Sequence, residues 1–94
     1  MRPEPYILGA LLYNGYATYD ANDISLRSGV YYLNGNSIGK PSEVSSDCMM
    51  LVMGNGTVKC ELLIALNNNC PLYYRNKQSG NSQWSSWKLV ATNT

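Results

Sequence analysis

Histidine and phenylalanine are absent from this 94-residue chain. Without His there is no Ser–His or Cys–His nucleophile pair, and the commonest metal ligand is missing. Charge is sparse: Asp, Glu, Lys and Arg make up 14% of the residues, where about a quarter is usual in a soluble domain. The basic residues Arg2, Arg27, Lys40, Lys59, Arg75, Lys77 and Lys88 are scattered, and the net charge is +1. Electrostatic binding to nucleic acid needs clustered Lys and Arg, so no nucleic-acid partner is expected. No apolar run approaches the roughly 18 to 20 residues of a membrane span, so no membrane insertion is expected. The opening Met1-Arg2-Pro3-Glu4-Pro5 has one basic residue, and the apolar stretch behind it, Tyr6 to Tyr13, is broken by Gly9. No signal peptide is read there.

Cysteine is scarce and odd in number: Cys48, Cys60 and Cys70. Three cannot all pair within one chain, and no Cys-x-x-Cys spacing occurs. Cys48 and Cys60 lie in apolar runs, which reads as buried free thiols of a protein folded in a reducing cytoplasm. One disulfide plus a free thiol is the alternative. The six carboxylates are Glu4, Asp20, Asp23, Glu43, Asp47 and Glu61. Asp20-Ala21-Asn22-Asp23 lacks the Gly and distant Glu of a calcium loop and reads as an Asx-rich turn. No catalytic residue, metal ligand or cofactor is expected, and the chain reads as a non-enzyme. Asn55-Gly56-Thr57 matches a glycosylation sequon, but a hairpin turn explains it better.

What is abundant is turn chemistry and aromatic surface. Asn-Gly occurs at Asn14-Gly15, Asn34-Gly35 and Asn55-Gly56, and Ser79-Gly80-Asn81 adds a fourth break. Asn-Gly between apolar runs is the strongest short hairpin signal, since both residues tolerate positive φ. Strands are expected at Val30–Leu33, Cys48–Met53, Val58–Leu66, Leu72–Arg75 and Trp87–Ala91. Cys48–Met53 is continuously apolar, as in a strand buried on both faces. In Val58–Leu66 the even positions Val58, Cys60, Leu62, Ile64 and Leu66 are apolar while Lys59 and Glu61 are charged. That pattern predicts a strand with its even face inward, with a helix as runner-up. These two runs form an antiparallel hairpin, and Asn67-Asn68-Asn69 makes a polar loop. The prediction is a mainly β fold: a small antiparallel sheet or sandwich-like knob with hairpins. Residues 1–19 form an N-terminal arm or linker, either extended or a short helix, and residues 20–94 form the knob.

All aromatics are Tyr or Trp, amphipathic rings that suit interfaces as well as cores. Neighbours on a strand point to opposite faces. In Tyr31-Tyr32 and in Tyr73-Tyr74, one ring therefore goes in and the other out. Trp84 and Trp87, three apart, face opposite ways on a regular strand unless Ser85-Ser86 bends the chain. Tyr32, Tyr74 and Trp87 are the expected core members.

The order of these motifs is familiar. Asp20-Ala21-Asn22-Asp23-Ile24 precedes Ser28-Gly29-Val30-Tyr31-Tyr32-Leu33, then Gly39-Lys40-Pro41-Ser42. The apolar strand Met50–Gly54 and a second at Val58–Ile64 follow, then Leu72-Tyr73-Tyr74-Arg75 and Trp84-Ser85-Ser86-Trp87-Lys88-Leu89. Over about residues 20 to 91 the chain resembles the pyocin knob family and related tail-fibre domains of phages and prophages. One departure is Cys60, where the family often has Gln. The resemblance implies a knob on a virion tail fibre, assembled in the bacterial cytoplasm and usually trimeric, near the end that meets the host. It brings no catalytic residues.

The function expected is host-surface recognition within a phage or prophage tail-fibre (receptor-binding) protein. The expected partners are a bacterial cell-surface glycan and other fibre subunits or domains, with a homotrimer as one arrangement. Tyr31, Tyr73, Arg75 and Trp84 are the surface-contact candidates, the aromatics by stacking and Arg75 by hydrogen bonding. A purely structural spacer knob is the alternative, and a small polysaccharide-degrading module is the second alternative. The last would need two carboxylates about 5 to 10 Å apart in a cleft.

Overall fold

The computed structural model describes residues 12–54, 58–78, 80 and 83–90. They form one six-stranded mixed sheet in sequential order: β1 Tyr13–Ala17, β2 Gly29–Leu33, β3 Cys48–Gly54, β4 Lys59–Ala65, β5 Leu72–Lys77 and β6 Lys88–Leu89. The protein is mainly β, as predicted, with no helix among the described residues. Strands β2 to β6 are an antiparallel meander, and the β3–β4 hairpin pairs Cys48 with Ala65 through to Gly54 with Lys59.

The start of the chain departs from expectation. Tyr13–Ala17, read as part of an arm, is an edge strand that runs parallel to β2. The rest of the predicted arm or helix, residues 1–11, lies outside the described residues, as does the Asn55-Gly56-Thr57 turn. Asn14-Gly15 is not a hairpin turn. It sits inside β1 where the register slips between Tyr13 and Tyr16, with Gly15 at φ 91°. An extra residue in an edge strand wants that conformation as much as a turn does.

A parallel neighbour requires a crossover. Residues 18–28 cross over one face of the sheet, and residues 34–47, between β2 and β3, cover it too. Ala21 and Val44 from these loops join Tyr31, Leu33, Cys48, Met50, Val52, Leu63, Ala65 and Tyr73 in the core, with Tyr19, Leu26 and Trp87 packed against it. Asp20 and Asp23 close Asx turns in the crossover, accepting from the Asn22 and Ser25 amides at 2.8 and 2.9 Å. The sheet therefore has an inner face under loops and an outer face.

The face assignment of β4 is the reverse of the periodicity reading. Its odd positions, Lys59, Glu61, Leu63 and Ala65, are buried, while Cys60 and Leu62 are half-buried and Ile64 is exposed. Loops laid on a sheet bring backbone carbonyls that need donors. Lys59 Nζ donates to the carbonyls of Ile24 and Leu26, both at 2.6 Å, and so ties the crossover down. Lys59 and Glu61 face inward where the cover brings carbonyls and Arg75 to pair with them, while Leu63 and Ala65 of the same face meet the apolar core. Correspondingly, Cys48–Met53 is not buried on both sides: Cys48, Met50 and Val52 are buried, and Met49, Leu51 and Met53 are half-buried on the outer face.

Candidate functional site

Register across the β4–β5 hairpin places Glu61 opposite Arg75 on the inner face. Both are buried, and Arg75 Nε donates to Glu61 Oε1 at 2.8 Å. Arg75 Nη2 donates to the Ala21 carbonyl of the crossover at 2.6 Å. The other Glu61 oxygen, Oε2, is buried without a hydrogen-bond partner. Burial pushes the Glu61 carboxyl up to about 7, against the pull of Arg75 and Lys59. Burial likewise lowers Arg75, against the pull of Glu61.

The segment 83–87 is not a strand. It is turned back onto β5 by Ser85, whose amide donates to the Asn76 carbonyl at 2.8 Å and whose hydroxyl accepts from the Asn76 amide at 3.1 Å. Strand parity then no longer applies, and both indoles reach the same guanidinium. Arg75 Cζ lies 4.1 Å from the Trp87 ring centroid and 4.8 Å from that of Trp84. Trp84 Nε1 donates to the Asn22 carbonyl at 3.2 Å and Trp87 Nε1 to the Gly39 carbonyl at 2.7 Å. One stack thus joins β4, β5, the C-terminal segment and both covering loops. Beside it an open depression of about 380 Å³ is lined by Asn22, Arg75, Gln83 and Trp84.

Of the four contact candidates, Arg75 and Trp84 come together here. Tyr31 and Tyr73 do not. They are core residues, 3% and 4% exposed. Tyr31 donates its hydroxyl to the Arg27 carbonyl at 2.6 Å and meets Tyr19 edge-to-face at 5.0 Å. Each Tyr pair does split between the faces, but in the opposite phase: Tyr74 is exposed and Tyr32 half-buried on the outer side. The cause is the one that reverses β4, since cross-strand register makes Tyr31, Met50, Leu63 and Tyr73 a single inner row. Trp87, expected in the core, is half-buried against it.

Sequence reasoning missed Glu61, Asn22 and Gln83. A signal for Glu61 existed: in a hairpin closed around Asn67–Asn69, the acid at 61 pairs with the base at 75. Asn22 and Gln83 carry no such signal, because loop packing alone brings them to Trp84. Among the described residues no group of three or more His, Cys, Asp or Glu side chains is placed to hold a metal ion. The three cysteines are free, with Cys48 buried, Cys60 half-buried and Cys70 exposed. No helix among the described residues is long and apolar enough to cross a membrane. No family model, curated protein or solved structure matches the chain.

Proposed function

We propose that the chain is a host-recognition module of a phage or prophage tail fibre that takes a surface glycan at the Asn22–Arg75–Gln83–Trp84 depression. The order of motifs from Asp20 to Leu89, similar to that of pyocin knobs, supports the setting in a virion fibre. The observation that carries the site is the meeting of one half-buried indole with two carboxamide side chains at an open rim. An indole offers an apolar surface to the C–H face of a sugar, and carboxamides supply both donors and acceptors for its hydroxyls. Arg75 is turned to Glu61 and the Ala21 carbonyl, and the other lining residues, Asn22, Gln83 and Trp84, are uncharged, which favours a neutral saccharide over an anion. The proposal includes no catalytic step.

The spacer reading has an observation of its own. Arg75, Trp84 and Trp87 all direct donors to partners within the chain, so the stack also serves as a fold clamp. Binding decides between the two. The labelled domain, fused to a trimerising tag to gain avidity, is tested on a panel of bacterial cells before and after their polysaccharide is stripped. Gln83 is exposed, so Gln83→Ala leaves the clamp intact. Binding that vanishes on stripping and weakens at least about fivefold in Gln83→Ala, the loss of one well-placed hydrogen bond, supports the glycan site. A folded module that binds no cell favours the spacer.

A further inference from the structure

We infer that the outer face of the sheet is the surface on which a second copy of this chain packs, face to face. Three cross-strand rows make up that face. One runs Val30, Leu51, Leu62, Tyr74 and Lys88; the second runs Tyr16, Tyr32, Met49, Ile64 and Leu72; the short third runs Met53, Cys60 and Asn76. Lys88, at the edge, is the only charge among them. The inner face of β4, in contrast, buries Lys59 and Glu61. A strand that turns its charges inward and its Leu and Ile outward has the pattern of an element with something apolar on its outer side.

The occupant follows from shape and area. The face carries projections at one end and depressions at the other. Tyr16 and Ile64 stand out at one end, 56% and 42% exposed, and Tyr16 is held edge-to-face on Tyr32 at 4.7 Å. Two depressions of about 250 and 290 Å³ share Cys60 and Asn76 at the opposite end of β4. A two-fold axis lying between two copies along the Val30–Tyr74 row sets Ile64 of each copy over Cys60 of the other, so knob meets hollow twice. Such self-complementarity is what an isologous contact requires. Five strands about 4.8 Å apart and six residues long present roughly 500 Å² per copy. Two copies together reach about 1,000 Å², the lower bound for a specific interface. With almost no charge to select a different partner, apolar shape is the recognition the face offers. This inference is independent of the glycan site, which lies on the loop-covered side.

The test is sedimentation of the full chain from about 1 to 100 µM, with thiol labelling in parallel, since a dimer is set by protomer concentration. The expected result is a monomer–dimer equilibrium. Maleimide labelling of Cys60 should slow at least about tenfold relative to exposed Cys70 as the dimer fills, because burial restricts access to the thiol. Leu62→Lys should sediment as a monomer with an unchanged circular dichroism spectrum. If Leu62→Lys misfolds, the concentration dependence of Cys60 labelling in the unaltered chain decides alone. A monomer throughout with Cys60 reactive, a monomer with Cys60 protected by its own chain, a trimer, or a dimer that folded Leu62→Lys leaves intact would each overturn the inference.

Discussion

Removing the Arg75 guanidinium should be among the most damaging single changes in this domain. In Arg75→Ala, Glu61 stays fully buried and loses its ion-pair partner. Breaking a buried pair from one side costs about 3 to 5 kcal/mol. The Ala21 carbonyl loses its donor and two indoles lose a cation at 4.1 and 4.8 Å, contributions of about 1 kcal/mol or more each. These effects overlap, so about 4 to 6 kcal/mol is expected. A domain of this length has about 5 to 14 kcal/mol in all, so the variant should lose roughly a third of its stability or more, and all of it at the low end of that range. The double replacement Glu61→Leu with Arg75→Met removes both charges and keeps volume, and should cost only about 1 to 3 kcal/mol. Urea unfolding at pH 8, followed by far-ultraviolet circular dichroism, is read for Arg75→Ala and for the four corners of the cycle: the unaltered chain, Glu61→Leu, Arg75→Met and the two combined. A loss under about 1 kcal/mol in Arg75→Ala, or a double variant as unstable as the two singles added, would refute the buried-pair account.

Three further outcomes are expected. Glu61 titrates near 7 in the fold, from an ordinary value of 4.5, so the folded state holds its proton more tightly. Its contribution is therefore full below about pH 4.5 and is lost as pH rises through about 7, worth about 3 kcal/mol between pH 5 and 8. The urea midpoint should fall over that range, and Glu61→Gln should flatten the fall. Gly54 has φ 124°, and a Cβ there would sit 2.2 Å from the Val58 carbonyl oxygen and 2.8 Å from Lys59 Cα. Gly54→Ala should then cost about 2 to 4 kcal/mol, seen as a drop of about 10 °C or more in thermal melting. Tyr31→Phe keeps the ring against Tyr19 but orphans the Arg27 carbonyl, and should cost about 1 kcal/mol in urea unfolding.

Much of the β content was legible locally. The strands predicted at Val30–Leu33, Cys48–Met53, Val58–Leu66 and Leu72–Arg75 each overlap an observed strand, because runs of β-branched, apolar and aromatic residues between turn residues leave few other conformations. The antiparallel pairing of β3 with β4 was legible too, because only a short turn-rich segment separates the two runs; the longer connection 34–47 carried no such signal for β2 with β3. The alternation of Tyr31 with Tyr32 and of Tyr73 with Tyr74 was also a sequence property, since period two belongs to the strand itself. Which member faced inward was not.

That choice belonged to the tertiary structure, and the physical reason is the nature of the cover. Hydropathy assumes that the apolar set of a strand meets an apolar layer. Here the part of the cover that lies over Lys59 and Arg75 is loop backbone, whose carbonyls at Ala21, Ile24 and Leu26 call for their donors. The fold therefore turned Lys59 and Glu61 in and Leu62 and Ile64 out, placed Tyr31 and Tyr73 in the core, and gathered Arg75, Trp84 and Trp87 from separate segments into one stack. Sequence alone determined that β2 to β5 are strands; parallel pairing made a strand of Tyr13–Ala17 and absorbed Asn14-Gly15 into it, and long-range hydrogen bonding to the covering loops determined which face became the core and which was left open.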